Sequence, residues 1–232
     1  MTGLRERKKQ ATRDALMTAT LQLALEHGLD NVRVEDIAEA AGVSPRTFNN
    51  YFSSKYEAIA ARHTDRIRHS AQVLRDRPPG EPLWEAVTRA MLAPWEGADR
   101  TTLPPGPELR AALRLLTSAP AMEGESLRVL FSADGELAAA VAERTGTDPE
   151  RDFYPQLAAT AVIVATQAAV RHWLRAEPAV PLVPLIEEAL RQLATGLPDP
   201  STQAGPSTQP APSTRPDPST WIGRPTQPDP TT

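Results

Sequence analysis

Apolar residues recur along most of the chain with the spacing of amphipathic helices. Near the N-terminus, Ala15, Leu16, Ala19 and Leu23 share one helical face, and Gly28 follows as a C-terminal stop signal. We find no run of alternating β-branched residues with hairpin turns that would indicate strands. The pattern therefore predicts an all-α protein.

Three further helices are predicted in the first 77 residues. A short one covers 34–41 and ends at Gly42. Ser44-Pro45 opens the next, because serine caps free backbone N–H groups and proline suits the first helical position. The fourth helix runs from Lys55 to about Arg77, where two prolines and a glycine end it.

The fourth helix combines an apolar stripe with several basic residues. We place His63 in the stripe, together with Ile59 and Ile67. Arg62, Arg66 and Arg68 are expected elsewhere on its surface.

Five more helices are predicted between residues 78 and 197. The first carries Trp84, Met91 and Trp95 on one stripe, and the second carries Leu116. The third covers about 125–145, with a break or kink near Gly135. The fourth and fifth cover 152–176 and 181–195.

The last 35 residues, 198–232, have a different composition. They contain ten prolines and repeat Pro-Ser-Thr every six residues. Such a segment buries too little apolar surface to offset its ordering entropy. We expect a disordered Pro/Ser/Thr-rich tail.

Charge is distributed unevenly although the net charge is only −4. Residues 1–77 carry 13 Lys and Arg against 10 acidic residues, whereas residues 78–197 carry 10 against 16. A basic block beside an acidic one is typical of a module that binds a polyanion and a second module that does not.

Several classes of protein are disfavoured. The absence of cysteine excludes disulfides and thiolate metal sites. The four histidines show no metal-binding spacing, and phosphate-binding loops and nucleophile elbows are missing, so we expect no enzyme, no metal and no cofactor. The uncharged stretch 154–170 is short for a membrane span, and the N-terminus lacks a secretory pattern, so we expect a soluble cytoplasmic protein with no membrane partner.

The segment from Arg33 to Lys55 is the most informative. It reads RVEDIAEAAGVSPRTFNNYFSSK, in which two short helices flank a turn at Gly42. Ala38 lets the helices cross closely, and Gly42 permits a positive φ angle. This spacing indicates a helix-turn-helix over about 33–52, although a plain helical hairpin remains an alternative.

The residues VEDIAEAAGVS followed by TFxxYFxSK resemble the DNA-binding domain of TetR/AcrR-family transcriptional regulators. The resemblance covers about residues 7–65. It implies an N-terminal three-helix DNA-binding domain, a fourth connecting helix, and an all-α ligand-binding and dimerisation domain. The segment SPRTFxxYF is most similar to the corresponding segment in the branch of this family that is thought to sense acyl-CoA-like ligands.

The resemblance also implies site residues. Thr47, Tyr51 and Lys55 match positions that contact the DNA backbone, and Ser44 is expected to help if capping does not occupy it. Arg46, Asn49 and Asn50 lie at exposed positions of the recognition helix, where arginine suits guanine and asparagine suits adenine.

Two departures from the family pattern stand out. Arg33 replaces the usual threonine, so it cannot cap the second helix, though its charge can still reach a phosphate. We expect Asp30 or Asn31 to supply the cap. The Pro-Ser-Thr tail is not part of the family pattern.

The N-terminal arm supplies further charge for DNA. It contains five basic residues and a single acidic one, Glu6; the basic residues are Arg5, Arg7, Lys8, Lys9 and Arg13. In the family, this arm approaches the minor groove or flanking phosphates.

One recognition helix reads few base pairs, so we expect a homodimer on double-stranded operator DNA. Helices 152–176 and 181–195 are expected to form the interface between its two subunits. A small-molecule effector with acyl-CoA-like chemistry is expected to bind within residues 78–197, the second block of the chain. The candidate ligand-binding residues are Trp84, Met91, Trp95, Leu116, Phe131, Gln167 and Arg171.

The predicted domains are 1–69 for DNA, 70–197 for ligand and dimerisation, and 198–232 for the tail. The predicted function is a repressor that the effector releases from DNA. An activator or ligand-blind regulator is the nearer alternative, and a helical small-molecule binding or enzyme module is the alternative of a different class.

Overall fold

The computed structural model describes residues 2–96, 106–178 and 180–197. These residues form α-helices with no strand among them, which confirms the predicted fold class. The helices are α1 (Thr2–His27), α2 (Val34–Ala40), α3 (Pro45–Tyr51), α4 (Lys55–Asp76), α5 (Leu83–Glu96), α6 (Pro107–Thr117), α7 (Pro120–Thr145), α8 (Phe153–Arg175) and α9 (Leu182–Ala194). A 3-10 turn, Leu29–Asn31, joins α1 to α2. The predicted tail lies outside the described residues.

The helix predicted over 125–145 differs from the observed one. α7 begins at Pro120 and continues through Gly135 to Thr145, so the helix is not broken there, and the alternative of a kink stays a prediction. A glycine costs a helix only about 1 kcal/mol relative to alanine. The packing of α7 against α4 and α8 offsets such a cost.

Buried side chains form two apolar clusters. The smaller joins α1 to the helix-turn-helix and α4, and comprises Leu16, Met17, Ala19, Val32, Ile37, Phe48, Phe52, Ala58 and Ala61. The larger spans α4 to α9 and takes Ala24 and Leu29 from the N-terminal part. α1 and α4 therefore contribute to both clusters. Since α4 runs unbroken past residue 69, the domain boundary stays a prediction.

α8 is the helix that covers the predicted uncharged stretch. By length and composition it could cross a membrane, a test that the core helix of a soluble protein also passes. Eight of its residues, among them Ile163 and Thr166, are buried, and it packs against α7 and α9. Its opposite face exposes Phe153, Leu157 and Val164.

Candidate DNA-binding interface and effector region

The helix-turn-helix is closed by backbone hydrogen bonds at its turn. Gly42 has a φ angle of 68°, the left-handed conformation that favours glycine. Its N–H donates to the carbonyl of Glu39 at 2.9 Å, and the N–H of Val43 donates to that of Ala38 at 2.9 Å. Ala38 is fully buried, so α2 and α3 meet closely, as its small side chain predicted.

Two hydroxyl groups at the start of α3 are engaged with each other. Ser44 Oγ accepts from the backbone N–H of Thr47 at 3.1 Å and lies 2.9 Å from Thr47 Oγ1. Ser44 is thus the N-cap that the sequence predicted. Capping uses one acceptor position of Ser44 Oγ and leaves its O–H to donate to Thr47 or to a phosphate. Thr47 is half-buried beside it. Their phosphate contacts stay predictions.

The start of α2 lacks the cap we expected. Asp36 Oδ2 accepts from the backbone N–H of Arg33 at 3.0 Å, which is the carboxylate half of a capping box. Asn31 instead donates to the carbonyl of His27, and Asp30 accepts from Tyr56, so neither caps α2. The side chain of Arg33 is exposed and cannot accept a hydrogen bond, which leaves its charge available for phosphate.

The buried side of α3 fixes its orientation. Phe48 is fully buried and Phe52 is 2% exposed, with their ring centroids 5.7 Å apart. The guanidinium of Arg13 lies 5.4 Å from the Phe52 ring centroid and also pairs with Asp65. Both phenylalanines are therefore core residues, and Arg13 is used within the fold rather than free in the N-terminal arm.

The other side of α3 is open. Arg46, Asn49 and Asn50 are exposed, and Tyr51 is half-buried against Phe52. Arg5, Arg7, Lys8 and Lys9 are exposed on the first turns of α1. The exposed side chains of this part of the molecule thus include hydrogen-bonding groups suited to base edges and cations suited to phosphates.

Lys55 has a different environment from the one expected for a phosphate contact. Its Nζ donates to the carbonyls of Leu29 at 2.7 Å, Val32 at 3.0 Å and Asp30 at 3.2 Å. These three bonds use all the donors of the ammonium group and hold the 3-10 turn against the start of α4. A phosphate contact by Lys55 would have to share or replace them, and it stays a prediction.

The candidate ligand-binding residues occupy two environments. Met91 and Leu116 are buried in the larger apolar cluster, and Trp84 and Trp95 pack against it. Arg171 is exposed although it lies one turn after the half-buried Gln167. The side chain of Phe131 lies outside the described ones. Their role in ligand binding stays a prediction.

A polar cluster between α4, α5 and α8 contains His63 and Arg66, two residues that the sequence did not predict in such a cluster. Gln167 Nε2 lies 3.0 Å from His63 Nε2, and the Arg66 guanidinium lies 4.1 Å from the Trp95 ring centroid. Arg66 is half-buried, so its expected surface position is wrong. An arginine on α4 gives no sign in the sequence that a tryptophan from α5 will cover it.

Burial changes the acid-base properties of this cluster. Desolvation, with the positive charge of Arg66 adding to it, lowers the pKa of His63 to about 4, so His63 is neutral near pH 7. Desolvation, with repulsion from Arg62, lowers the pKa of Arg66 to about 10, where the guanidinium still carries its charge near pH 7.

Ion pairs link the N-terminal helix to the second block through α4. Arg13 on α1 pairs with Asp65 on α4, and Arg68 lies 3.4 Å from the same carboxylate. Arg68 Nε in turn donates to Glu136 on α7 at 3.0 Å. A displacement of α4 would therefore reach both the helix-turn-helix and α7.

Comparison with known proteins assigns both parts of the chain. Residues 16–61 match the family model of bacterial regulatory proteins of the tetR family, and residues 81–198 match that of the MftR C-terminal domain. The HTH-type transcriptional regulator TcmR of Streptomyces glaucescens is 34% identical over 184 residues, which cover 75% of this chain and 79% of TcmR.

Solved structures show the same fold. FadR of Bacillus halodurans, a fatty acid degradation regulator, superposes with a TM-score of 0.51 at 20% identity, over 80% of this chain and 96% of that one. FadR of Thermus thermophilus, a TetR-family repressor in complex with lauroyl-CoA, gives 0.50 at 20% identity, over 81% and 95%.

These families consist of transcriptional regulators and not of enzymes, in agreement with the missing catalytic motifs. The helix-turn-helix and the helical second block account for the two matches. The chain therefore belongs to the tetR family of bacterial regulatory proteins, and it is a DNA-binding transcriptional regulator.

Proposed function

We propose that the protein is a cytoplasmic homodimeric repressor that a small apolar or acyl-type molecule releases from its operator. The observation that carries the DNA part is the two-sided α3, which buries Phe48 and exposes Arg46, Asn49 and Asn50. Such a helix can enter the major groove while its buried side keeps it in place.

The dimer is supported by the exposed face of α8. Phe153 is 76% exposed, Leu157 50% and Val164 40%, and their spacing places them on one side of the helix. An apolar stripe of this kind is costly to leave in water and is typical of a surface that pairs with a second copy. We therefore propose that α8, with α9, forms a four-helix interface with its partner.

The effector class is supported by the resemblance of the SPRTFxxYF segment and by the second block. Thermus thermophilus FadR, which shares this fold, is a repressor found with lauroyl-CoA. In our chain, Trp84 and Trp95 pack against an apolar cluster that contains Met91 and Leu116, and side chains of this apolar kind line pockets for acyl chains. An acyl or acyl-CoA effector is the proposal that follows.

Release would act through α4. This helix carries Lys55 at the helix-turn-helix, the Asp65 partner of Arg13, and His63 and Arg66 at the effector region. A ligand that prefers one position of α4 would change the separation of the two recognition helices. The dimer would then no longer match its half-site spacing.

The DNA contacts can be tested with duplexes that the protein itself selects from a random pool. Asn50→Ala and Arg46→Ala should each cost about 1–3 kcal/mol per half-site on the selected duplex and little on a scrambled one. Lys8→Ala is the matched control for phosphate contacts. It should weaken both duplexes about equally and lower the salt slope by about one unit per lost contact in each half-site.

Parallel losses for all three variants on both duplexes would contradict the assignment of base readers. If the wild type selects no sequence from the pool, the proposed function itself is wrong.

The interface can be tested with Leu157→Glu, which places a charge on the exposed stripe of α8. Sedimentation should show a monomer, and operator affinity should fall because the two half-sites are no longer bound together. Leu115→Glu is the control, since Leu115 is 75% exposed on α6. A Leu157→Glu protein that remains dimeric would place the interface elsewhere.

A further inference from the structure

Among the described residues, no carboxylate forms an ion pair with Arg66. Its guanidinium is half-buried over the Trp95 ring. Within the described part of the chain, neither Arg66 nor Arg62 forms an ion pair or donates a hydrogen bond. The neighbouring Asp65 is already paired with Arg13 and Arg68. α4 thus presents two guanidinium groups, one turn apart, without a carboxylate of their own.

An arrangement of this kind is unfavourable unless something neutralises it. A charge removed from water needs a partner of opposite sign, and two adjacent cations repel each other. The lowered pKa of Arg66, caused by burial and by Arg62, expresses the same cost. Replacing Arg66 with an apolar residue would remove this cost, so its presence over Trp95 indicates that the charge has a use.

The two arginines border open space. Both line a groove of about 450 Å³ between α1, α4 and α5, whose other walls include Met17 and Thr18 of α1 and Pro94 of α5. Two carboxylates also line it. Asp14 accepts from Gln10 at 2.9 Å, and Asp65 is paired with Arg13 and Arg68. A molecule in this groove would contact α1, which packs on the helix-turn-helix. It would also contact α4, which carries His63 and Arg66 of the polar cluster.

His63 and Gln167 do not line this groove, but they lie near Arg66 and leave hydrogen-bonding capacity there. The amide nitrogen of Gln167 can only donate, so His63 Nε2 accepts and its proton lies on Nδ1. No described residue accepts from His63 Nδ1 or donates to Gln167 Oε1. Arg66, His63 and Gln167 therefore offer a charge, a donor and an acceptor near one another.

We propose that Arg66, assisted by Arg62, is the anion-binding part of the effector site, and that the effector carries a carboxylate or phosphate group. A planar guanidinium binds such groups through two parallel hydrogen bonds, and the Trp95 ring holds the plane of Arg66 in position. This inference rests on the proposed function for the existence of an effector. It adds the chemical class of the effector and the residue that selects it.

The test compares ligands that differ in their anionic group. Full-length protein is titrated in a calorimeter with laurate, with lauroyl-CoA and with dodecanol, which has the same chain without charge. The wild type should bind at least one of the two anions at least tenfold more tightly than dodecanol. Preference for laurate would indicate a carboxylate site, and binding of lauroyl-CoA alone would indicate a phosphate site.

Variants then assign the preference to Arg66. Arg66→Gln should weaken the bound anion at least tenfold and leave dodecanol unchanged, while Arg66→Lys should retain part of the affinity because it keeps the charge. Arg89→Gln is the matched control on α5, where Arg89 is 67% exposed, and it should bind like the wild type. The melting temperature of each variant shows whether it is folded.

Operator binding separates this inference from the proposed function. Arg66→Gln should bind the operator normally without ligand, and the anion should no longer release it. If Arg66→Gln binds the anions as tightly as the wild type, or if the wild type binds neither, the inference is wrong while operator binding leaves the proposed repressor in place. Failure of the wild type to bind any operator would instead remove the proposed function.

Discussion

The helix-turn-helix and the effector region of α4 are built in different ways. In the helix-turn-helix, the turn and the caps are made by residues at most five positions apart, such as Ser44 with Thr47 and Val43 with Ala38. In the effector region, His63 meets Gln167 across 104 positions, and Arg66 meets a tryptophan from another helix.

This difference separates what each region must do. A DNA reader has to present a fixed set of side chains, so short-range caps and a buried Phe48 hold α3 rigidly in place. A switch has to respond to a ligand, and long-range polar contacts with open donors and acceptors can be rearranged. α4 belongs to both regions, so in the proposed mechanism a ligand at one of them would affect the other.

The largest effect on stability is expected from the buried side of the recognition helix, α3. Phe48→Ala removes a fully buried ring and should lower the free energy of unfolding by about 3–5 kcal/mol, measured by chemical denaturation. Its exposed neighbour offers a control, because Asn49→Ala should change stability by no more than about 0.5 kcal/mol. A loss below about 1 kcal/mol for Phe48→Ala would show that α3 does not depend on this core.

A smaller effect should come from the hydrogen bonds that fix the 3-10 turn to the start of α4. Lys55→Met removes the three bonds from Nζ to the 3-10 turn and should lower the free energy of unfolding by about 2 kcal/mol, within the range for hydrogen bonds to charged groups. Lys9→Met, on the exposed arm, should leave stability unchanged. If Lys55→Met keeps the wild-type stability and loses only DNA affinity, Lys55 is a phosphate contact after all.

The smallest of the three effects concerns acid sensitivity of the effector region. The unfolded chain protonates His63 near its ordinary pKa of 6.5, whereas the folded protein resists protonation until about pH 4. Stability from the neutral ring is therefore complete above pH 6.5 and is lost as the pH falls toward 4. Between pH 7.5 and 5 the loss should be about 2 kcal/mol at most, and less where water reaches the ring.

Denaturation curves at several pH values, compared between the wild type and His63→Gln, measure this loss. The variant should show a flatter dependence on pH. His69→Gln, which changes an exposed histidine of the same helix, should keep the wild-type slope. Equal slopes in all three proteins would show that His63 is not held neutral by the fold.

Local signals predicted the reader well. Ser44-Pro45 predicted the start of α3, and Gly42 predicted the turn before it. The cap of α2 was expected from residues before Arg33, whereas the acceptor, Asp36, lies three residues after it. The i to i+3 spacing of the capping box was the available signal.

The sequence by itself determined the all-α class, the order of helices and the recognition helix, because helical periodicity, caps and turn residues act over a few positions. Tertiary structure alone decided the partners of Arg66, His63 and Lys55. Whether a polar side chain on a helix faces water, a ring or a carbonyl depends on which distant helix packs against it. That choice follows from the burial of the two apolar clusters as a whole, which no short stretch of sequence encodes.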